Sequence, residues 1–465
     1  MSPVDRTDRT SGERRTRRSP EGSTQIADRK LAATVVDGGR LRALLLELWQ
    51  RTRMDWGFVT DRLAQTFRKE KWIGSHERRF IGETLYGLVR HLRRIDAALD
   101  RGRKVKKPPK DLERLLALLV LEKLVPPEKA AQAERGLDWN AVATVDDAIA
   151  TERRLVSRIA LAASLPDWLA ARLVADWGDE AEALALALNQ RAPMTVRANL
   201  LVTTREQLAE ELRGENLETS PGRWCDTALH VETRTNLFGT AAFKRGAMEA
   251  QDEGSQLLAD LAIGGLAEPR PLVIDLCAGA GGKTLAIAAR LGGRGRIIAS
   301  DVDKHKLDEL RRRARRATVA NAQALHLEAG AWPPALDALR GKADVVFVDA
   351  PCSGIGALRR NPEARWRLRE EDLATFAARQ REILDGAYSL CAPGGRIVYA
   401  TCTLLRIENQ DVVDAFAGAH ADLAPVALAD VLGERATDLG DGTSFTVTPH
   451  RHGTDGFFAR VLRRA

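Results

Sequence analysis

Apolar side chains return at three- and four-residue intervals over 41–49, 59–67, 79–99 and 112–121, the spacing that gathers them on one face of a helix. The proline pairs Pro108-Pro109 and Pro126-Pro127 interrupt the pattern. An all-α stretch is therefore expected from about Lys30 onward. Residues 1–29 hold almost no large apolar side chain and are rich in Arg, Asp, Ser, Thr and Gly, so they are expected to form a disordered basic tail. Two more helical segments follow Ser164-Leu165-Pro166-Asp167-Trp168, and then an extended run, Met194-Thr195-Val196-Arg197-Ala198-Asn199. Past about 246 the rhythm changes. Short β-branched runs near Leu272, Arg296, Ala324, Ala343 and Gly395 alternate with helical ones, the longest spanning 371–390. That alternation predicts a mostly parallel, doubly wound α/β sheet. The segments 444–448 and 457–462 read as a closing hairpin, and no internal repeat is visible. The organisation expected is a tail (1–29), a helical domain (30–160), a small α/β connector (161–245) and an α/β domain (246–465).

A chain of 465 residues, 44% of them hydrophobic, is long enough for two or three cored domains. Lys and Arg number 71 against 64 Asp and Glu, a net charge of +7 that suits a nucleic-acid partner without requiring one. The basic residues cluster at Arg14, Arg15, Arg17 and Arg18; over 101–110 with Lys106, Lys107 and Lys110; at Arg311, Arg312, Arg313, Arg315 and Arg316; and at Arg359, Arg360, Arg365 and Arg367. Five widely spaced cysteines give neither a disulfide framework nor a metal-binding pattern, so no metal is expected. No apolar stretch approaches the roughly 20 residues of a membrane span. The N-terminus lacks the apolar core of a signal peptide. A cytoplasmic monomer without membrane contact is the expectation.

Candidate chemistry sits where the predicted strands end. Val345-Val346-Phe347-Val348-Asp349 leads into Ala350-Pro351-Cys352-Ser353-Gly354, and Arg396 to Thr401 leads into Cys402-Thr403, so Cys352 and Cys402 should meet at strand C-termini, where open α/β sheets bind ligands. A third strand end, Asp275-Leu276, runs into Cys277-Ala278-Gly279-Ala280-Gly281-Gly282-Lys283-Thr284. That turn is not a phosphate-binding loop, because Cys277 occupies the position of the first required glycine. It fits a dinucleotide fingerprint only loosely, since no glycine falls at the third position. The remaining reading is a backbone that passes close to a nucleoside-linked amino acid, with Asp301, at the end of the next strand, on the ribose hydroxyls. Cys225 and Cys391 read as small buried hydrophobes. Asp349 could instead be a turn acid, and Lys283 could cap the helix over 284–291 or neutralise nearby acids.

Taken as a set, Asp275 to Thr284, Asp349 to Gly354 and Tyr399 to Thr403, with Asn361-Pro362-Glu363, Arg365-Trp366 and Asp455-Gly456-Phe457-Phe458, resemble the Sun/NOL1/NOP2 family of S-adenosylmethionine-dependent RNA cytosine-5 methyltransferases. The resemblance implies a Rossmann-like class I methyltransferase domain behind an all-α NusB-like RNA-binding domain, found on members that act on small-subunit ribosomal RNA. It also implies the small connector. S-adenosylmethionine would lie on Cys277, Ala278, Gly279, Ala280, Gly281, Gly282, Lys283, Asp301 and Asp349. Cytosine carbon 5 is a poor nucleophile, so a thiolate must first add to carbon 6. By resemblance Cys402 attacks, Cys352 assists product release, Asp349 hydrogen-bonds the flipped base near ring nitrogen 3, and Lys283 lines the pocket. DNA cytosine-5 methyltransferases instead attack with the Pro-Cys thiol. Two departures stand out: Ala280 replaces a common proline, and Ala329 occupies the usual adenine-side acid position, with Glu328 one residue early.

The cluster Arg359, Arg360, Arg365 and Arg367 follows Cys352 and is expected to meet RNA phosphates. The helix with Arg311 to Arg316 is as readily a solvated face. Transfer RNA is an alternative substrate, because the motifs read base and cofactor and not the RNA's shape. A non-catalytic NusB-like RNA-binding factor is a second alternative, opposed by the intact Cys352 and Cys402 pair. An amino-group methyltransferase is disfavoured because Pro351 is followed by Cys352 and not by an aromatic.

Overall fold

In the computed structural model, which describes residues 28–232, 235–328 and 332–465, the first helix starts inside the stretch assigned to the tail. Asp28 accepts the Leu31 N–H at 2.9 Å and caps the helix Arg29–Asp37, so Arg29 opens the helical domain. The rest of the tail lies outside the described residues, as do Arg14 to Arg18 and Ala329. Helices Gly39–Asp55, Val59–Lys69, Ser75–Arg90, Leu92–Arg101 and Asp111–Leu121 bury Leu45, Leu48, Trp49, Leu85, Leu88, Leu115 and Leu118 in one core. Pro127 sits in the first turn of Pro127–Ala133, where its missing N–H costs nothing. The single helix expected over 79–99 is broken at His91. The break is stabilised from outside: the Ser164 hydroxyl accepts the Arg93 N–H at 2.7 Å as the second helix begins.

After helices Asp167–Trp177 and Ala181–Leu188 comes a four-stranded antiparallel sheet of β1 (Thr195–Ala198), β2 (Thr219–Pro221), β3 (Ala228–Val231) and β4 (Met248–Ala250), in the order β2-β3-β1-β4. Helix Arg205–Gly214 covers it, with Leu208 and Leu212 packed against Val196, Leu229 and Met248. Strand β4 falls past the boundary expected at 245, so the connector's sheet takes one strand from beyond it.

The C-terminal sheet holds β5 (Leu272–Asp275), β6 (Arg296–Asp301), β7 (Ala322–His326), β8 (Ala343–Asp349), β9 (Cys391–Thr401), β10 (Leu423–Pro425), β11 (Ser444–Val447) and β12 (Phe457–Arg464). Its order is β10-β12-β9-β8-β5-β6-β7, with β11 paired to β12. Strands β5 to β9 are parallel, and β12 runs antiparallel between β9 and β10. Strand side chains alternate faces. Val273, Ile297, Val345 and Phe347 meet Leu258, Leu285 and Leu307 on one side, and Ile274, Ile298, Val346 and Val348 meet Leu384 and Val413 on the other. Each such buried aliphatic side chain contributes about 1.5 to 3 kcal/mol. Because the strands are parallel, Asp275, Asp301, Asp349 and Thr401 all end on one edge of the sheet. The order reverses between β5 and β8, the position at which such sheets open a ligand crevice.

The arginines expected at RNA phosphates are built into the seam between domains. Arg365 is fully buried; its Nη1 donates to the Ala163 carbonyl and to Asn189 Oδ1, both at 2.9 Å, and its Nε to the Pro362 carbonyl at 3.1 Å. Trp366 Nε1 donates to the Val89 carbonyl at 2.8 Å, and Arg90 Nη2 to the Arg359 carbonyl at 3.1 Å. Arg359 is also buried and donates to the carbonyls of Gly453, Thr454 and Arg191. Arg367 lies over the Phe58 ring. These loop carbonyls lie far apart in sequence, and the forked guanidinium satisfies several at once. The helix Lys304–Arg316 is likewise not simply solvated: Arg313 and Arg316 pair with buried Glu249, while Arg311 and Arg312 pair with Asp308 and Glu309.

Candidate active site

The turn after β5 is held from below. Ala278 N–H donates to the Ser300 carbonyl at 2.9 Å and Gly279 N–H to Asp301 Oδ2 at 2.8 Å, while Asp301 Oδ1 accepts the Asp303 N–H. Gly281 has φ +83°, and a Cβ there would stand 2.6 Å from Leu310, so the residue must be glycine. Ala280 is used through its carbonyl, which accepts from Arg313 at 2.9 Å, so the absence of proline at this position costs no contact. Asp303 caps the helix Lys304–Arg316 through His305 and Lys306 N–H.

Helix Gly282–Arg290 starts at the end of the turn and aims two polar side chains back at the strand ends. Thr284 donates to Asp275 Oδ2 at 2.7 Å. Asp275 is buried, which pushes its carboxyl up to about 7, and its Oδ1 has no partner among the described residues. Lys283 Nζ donates to Asp349 Oδ2 at 2.6 Å and lies 5.6 Å from the centre of the Phe457 ring. Burial pulls the Lys283 ammonium down, but contact with Asp349 and the nearby Cys402 and Asp275 outweigh it, and the net direction is up. Burial drives the Cys277 thiol upward, away from thiolate character.

The two remaining strand-end cysteines meet. Cys352 Sγ and Cys402 Sγ are 3.4 Å apart. The hydrogen bond with Cys402, followed by burial, raises the Cys352 thiol well above its ordinary range and keeps it protonated. A buried network beneath them fixes both loops. Glu408 Oε2 accepts the Ser353 N–H at 2.8 Å and Gln380 Nε2 at 3.1 Å, and its Oε1 accepts the Ser353 hydroxyl. Ser353 Oγ and Thr403 Oγ1 are 2.8 Å apart, and Asn409 Nδ2 donates to the Thr403 carbonyl at 3.1 Å. Gly356 N–H donates to the Cys402 carbonyl at 2.9 Å, and a Cβ on Gly356 would run into the Gly456 carbonyl at 2.2 Å. Cys225 and Cys391 are buried, as expected of small hydrophobes; Cys225 packs between Thr227 and Arg290.

A cavity of about 590 Å³ lies against this edge. Cys277, Ala278, Gly279, Ala280, Gly282, Lys283, Asp275 and Asp349 form one wall, and Met194, Leu237 and Phe238 of the connector face them. Asp252, Arg360 and Asp455 close one end. Arg360 bridges the two acids, and burial raises Asp455 to about 6. Gly281, Asp301, Cys352 and Cys402 are not in the lining; Asp301 holds the turn through the Gly279 N–H. Glu408 is a functional candidate that sequence reasoning passes over, as is the pairing of Arg360 with Asp252 and Asp455. Glu408-Asn409, six residues after the second thiol, is the available signal for the first. Asp455-Gly456 reads equally well as hairpin chemistry, yet Asp455 is buried and paired to Arg360.

Residues 267–463 match the family model described as 16S rRNA methyltransferase RsmB/F, and residues 165–237 match the ferredoxin-like domain of RsmF/B-like methyltransferases. A probable ribosomal RNA small subunit methyltransferase B of Synechocystis is 29% identical over 416 residues, covering 84% of this chain and 92% of that protein. The ribosomal RNA small subunit methyltransferase B of Xylella fastidiosa strain 9a5c is 33% identical over 354 residues, covering 73% of this chain and 79% of that one. The crystal structure of PH0851 superposes with a TM-score of 0.71 at 25% identity, over 90% of this chain and 97% of its own.

Proposed function

Because the chain belongs to the RsmB/F family of 16S rRNA methyltransferases and is thus an RNA methyltransferase, we propose that it methylates carbon 5 of a cytosine in small-subunit ribosomal RNA through a covalent adduct to Cys402. The observation that carries this reading is the contact of Cys352 and Cys402 at 3.4 Å, beside a lysine paired to a strand-end acid. Methylation of a nitrogen or oxygen needs no thiol nucleophile; methylation of carbon 5 needs one.

The cavity suits S-adenosylmethionine. Its volume falls within the range of small-molecule sites, roughly 300 to 1,000 Å³. Glycine backbone forms one wall, and the unpartnered Asp275 Oδ1 belongs to a residue of that wall. Cys277 to Lys283 would hold the cofactor. Asp301 fixes the turn through Gly279 and keeps acceptor capacity for a ribose hydroxyl. S-adenosylmethionine, when bound, supplies an electrophilic methyl group.

Two thiols in contact cannot readily both ionise. Cys352 is held protonated, which leaves Cys402, close to the Lys283 ammonium, as the attacking sulfur. The Cys402 sulfur adds to carbon 6, and carbon 5 becomes nucleophilic. After methylation water takes the carbon 5 proton, the electrons of that bond re-form the carbon 5–carbon 6 double bond, and the carbon–sulfur bond breaks with its electron pair returning to Cys402; Cys352 promotes this release. Asp349 accepts from the base while Lys283 holds the carboxylate in place. The test is incubation with small-subunit ribosomal RNA and methyl-labelled S-adenosylmethionine, followed by bisulfite sequencing. Label at a cytosine that becomes bisulfite-resistant is expected; label elsewhere overturns the cytosine-5 assignment.

A further inference from the structure

A second cavity, of about 480 Å³, lies beside the first, and Pro193 and Met194 line both. Arg79 of the helical domain, Arg191 of the following segment and Arg359 of the α/β domain stand on its walls, so the three major parts of the chain converge there. Arg191 is paired with Glu83. Arg359 donates its hydrogen bonds to carbonyls and has Asp455 and Asp252 close enough to offset part of its charge. Among the described residues the wall carries one acid, Glu232, whose carboxylate accepts the Ser220 hydroxyl, and His230, which pairs with Glu253. Arg79 is exposed, has no acidic partner among the described residues, and lies close enough for its charge to act on Arg191. Among the described residues of the lining, Arg79 is the cation without an acid near it, and it is supplied by the helical domain.

A nucleotide placed in the catalytic cavity brings flanking phosphates with it, each carrying one negative charge. We propose that this cleft is the track for the RNA backbone flanking the target nucleotide, with Arg79 on a phosphate and the shared wall of Pro193 and Met194 turning the strand into the catalytic cavity. The proposal rests on RNA being the substrate. It assigns phosphate contact to Arg79 and not to Arg359, Arg360 and Arg365, whose guanidiniums are taken up by protein carbonyls and carboxylates.

The experiment uses the full chain with Arg79→Ala, Arg79→Lys and Arg79→Glu. Anisotropy of a fluorescent single-stranded RNA of about 20 nucleotides, spanning the target and titrated from about 50 to 200 mM salt, gives affinity and salt slope. Arg79→Ala should weaken binding and make the slope shallower by about 0.7 to 1. Arg79→Lys should restore both, and Arg79→Glu should weaken binding further. Calorimetric affinity for S-adenosylmethionine and the melting temperature should stay unchanged in all three, since Arg79 is exposed. Wild-type affinity and slope in Arg79→Glu would overturn the track. So would a charge reversal that spares RNA while abolishing binding of a polyglutamate peptide, which would make the cleft a protein site. Because the slope is read without turnover, the track fails on binding alone, whereas the cytosine-5 reading fails on bisulfite-sequenced product.

Discussion

Cys352 and Cys402, 50 positions apart in the chain, hold their sulfurs 3.4 Å apart because β8 and β9 are parallel neighbours whose last paired residues are Asp349 and Ala400. Strand register therefore brings the thiols together, and the Glu408 network holds the loops that carry them.

Exchange of each thiol should separate their roles. Cys402→Ala should abolish methylation and leave no denaturant-resistant complex with RNA. Cys352→Ala should transfer the methyl group, fail to release the product, and accumulate as an RNA adduct on denaturing gels. An adduct from Cys402→Ala but not from Cys352→Ala would reverse the assignment.

The Lys283 and Asp349 pair should matter to rate more than to folding, since it lies on the cavity wall. Asp349→Asn and Lys283→Met are expected to lower kcat by about 10² to 10³, the usual loss for one preorganised polar contact in an active site. Steady-state kinetics alongside thermal melts would check this. Normal kcat in both variants would remove the pair from the mechanism.

Glu408 is buried, and its loss strands the Ser353 N–H and leaves the Gln380 amide with the Pro351 carbonyl alone. Glu408→Ala should cost about 1 to 3 kcal/mol of stability by urea denaturation. It should also lower kcat while leaving cofactor affinity intact, because the cofactor turn belongs to another loop. Glu408→Gln should recover part of both. Full activity in the alanine variant would make the network dispensable.

Arg365→Met should destabilise the chain by about 1 to 3 kcal/mol, since it leaves buried carbonyls without donors. Its RNA salt slope should match wild type, unlike that of the Arg79 variants. A shallower slope in Arg365→Met would return this residue to the RNA surface.

A pH signature should come from Asp275. Burial raises it to about 7, against an ordinary value near 3.9. Between those values the folded chain holds a proton that the unfolded chain has lost, so stability falls as pH rises through the window and the contribution is complete only below about 4. A tenfold difference in proton affinity between the folded and unfolded chain corresponds to about 1.4 kcal/mol. Asp275→Asn stays neutral and can still accept from Thr284, so urea midpoints measured at about pH 4 and 7.5 should change less in the variant than in wild type. Equal changes would mean that the carboxyl ionises as freely folded as unfolded.

The strand ends and the residues that cluster at them were legible because they are local: a β-branched run, a glycine turn and a Pro-Cys step each fit within ten residues. The parallel sheet followed from alternation alone. Arg365 was illegible for the opposite reason. An arginine beside an active-site loop looks the same in sequence whether it faces solvent or the carbonyl of Ala163, 202 positions away. The break at His91 depends on a hydroxyl from Ser164 that periodicity cannot report. Glu408 carries no signal beyond its place six residues after the second thiol, and its role comes from the Ser353 and Gln380 groups that bond to it.

The Arg365 seam also has a consequence in time. The chain is made from its N-terminus at about 5 to 20 residues per second, so the 202 positions between Ala163 and Arg365 take roughly 10 to 40 s to synthesise. During that interval the helical half is complete, but its carbonyls at the seam still face water. The last segment of the seam to be made is the one that carries the second thiol and the closing strands. A nascent chain therefore closes its domains together only when the loop after Cys352 has emerged, and truncations that end before Arg365 should leave a folded helical domain with an open polar edge.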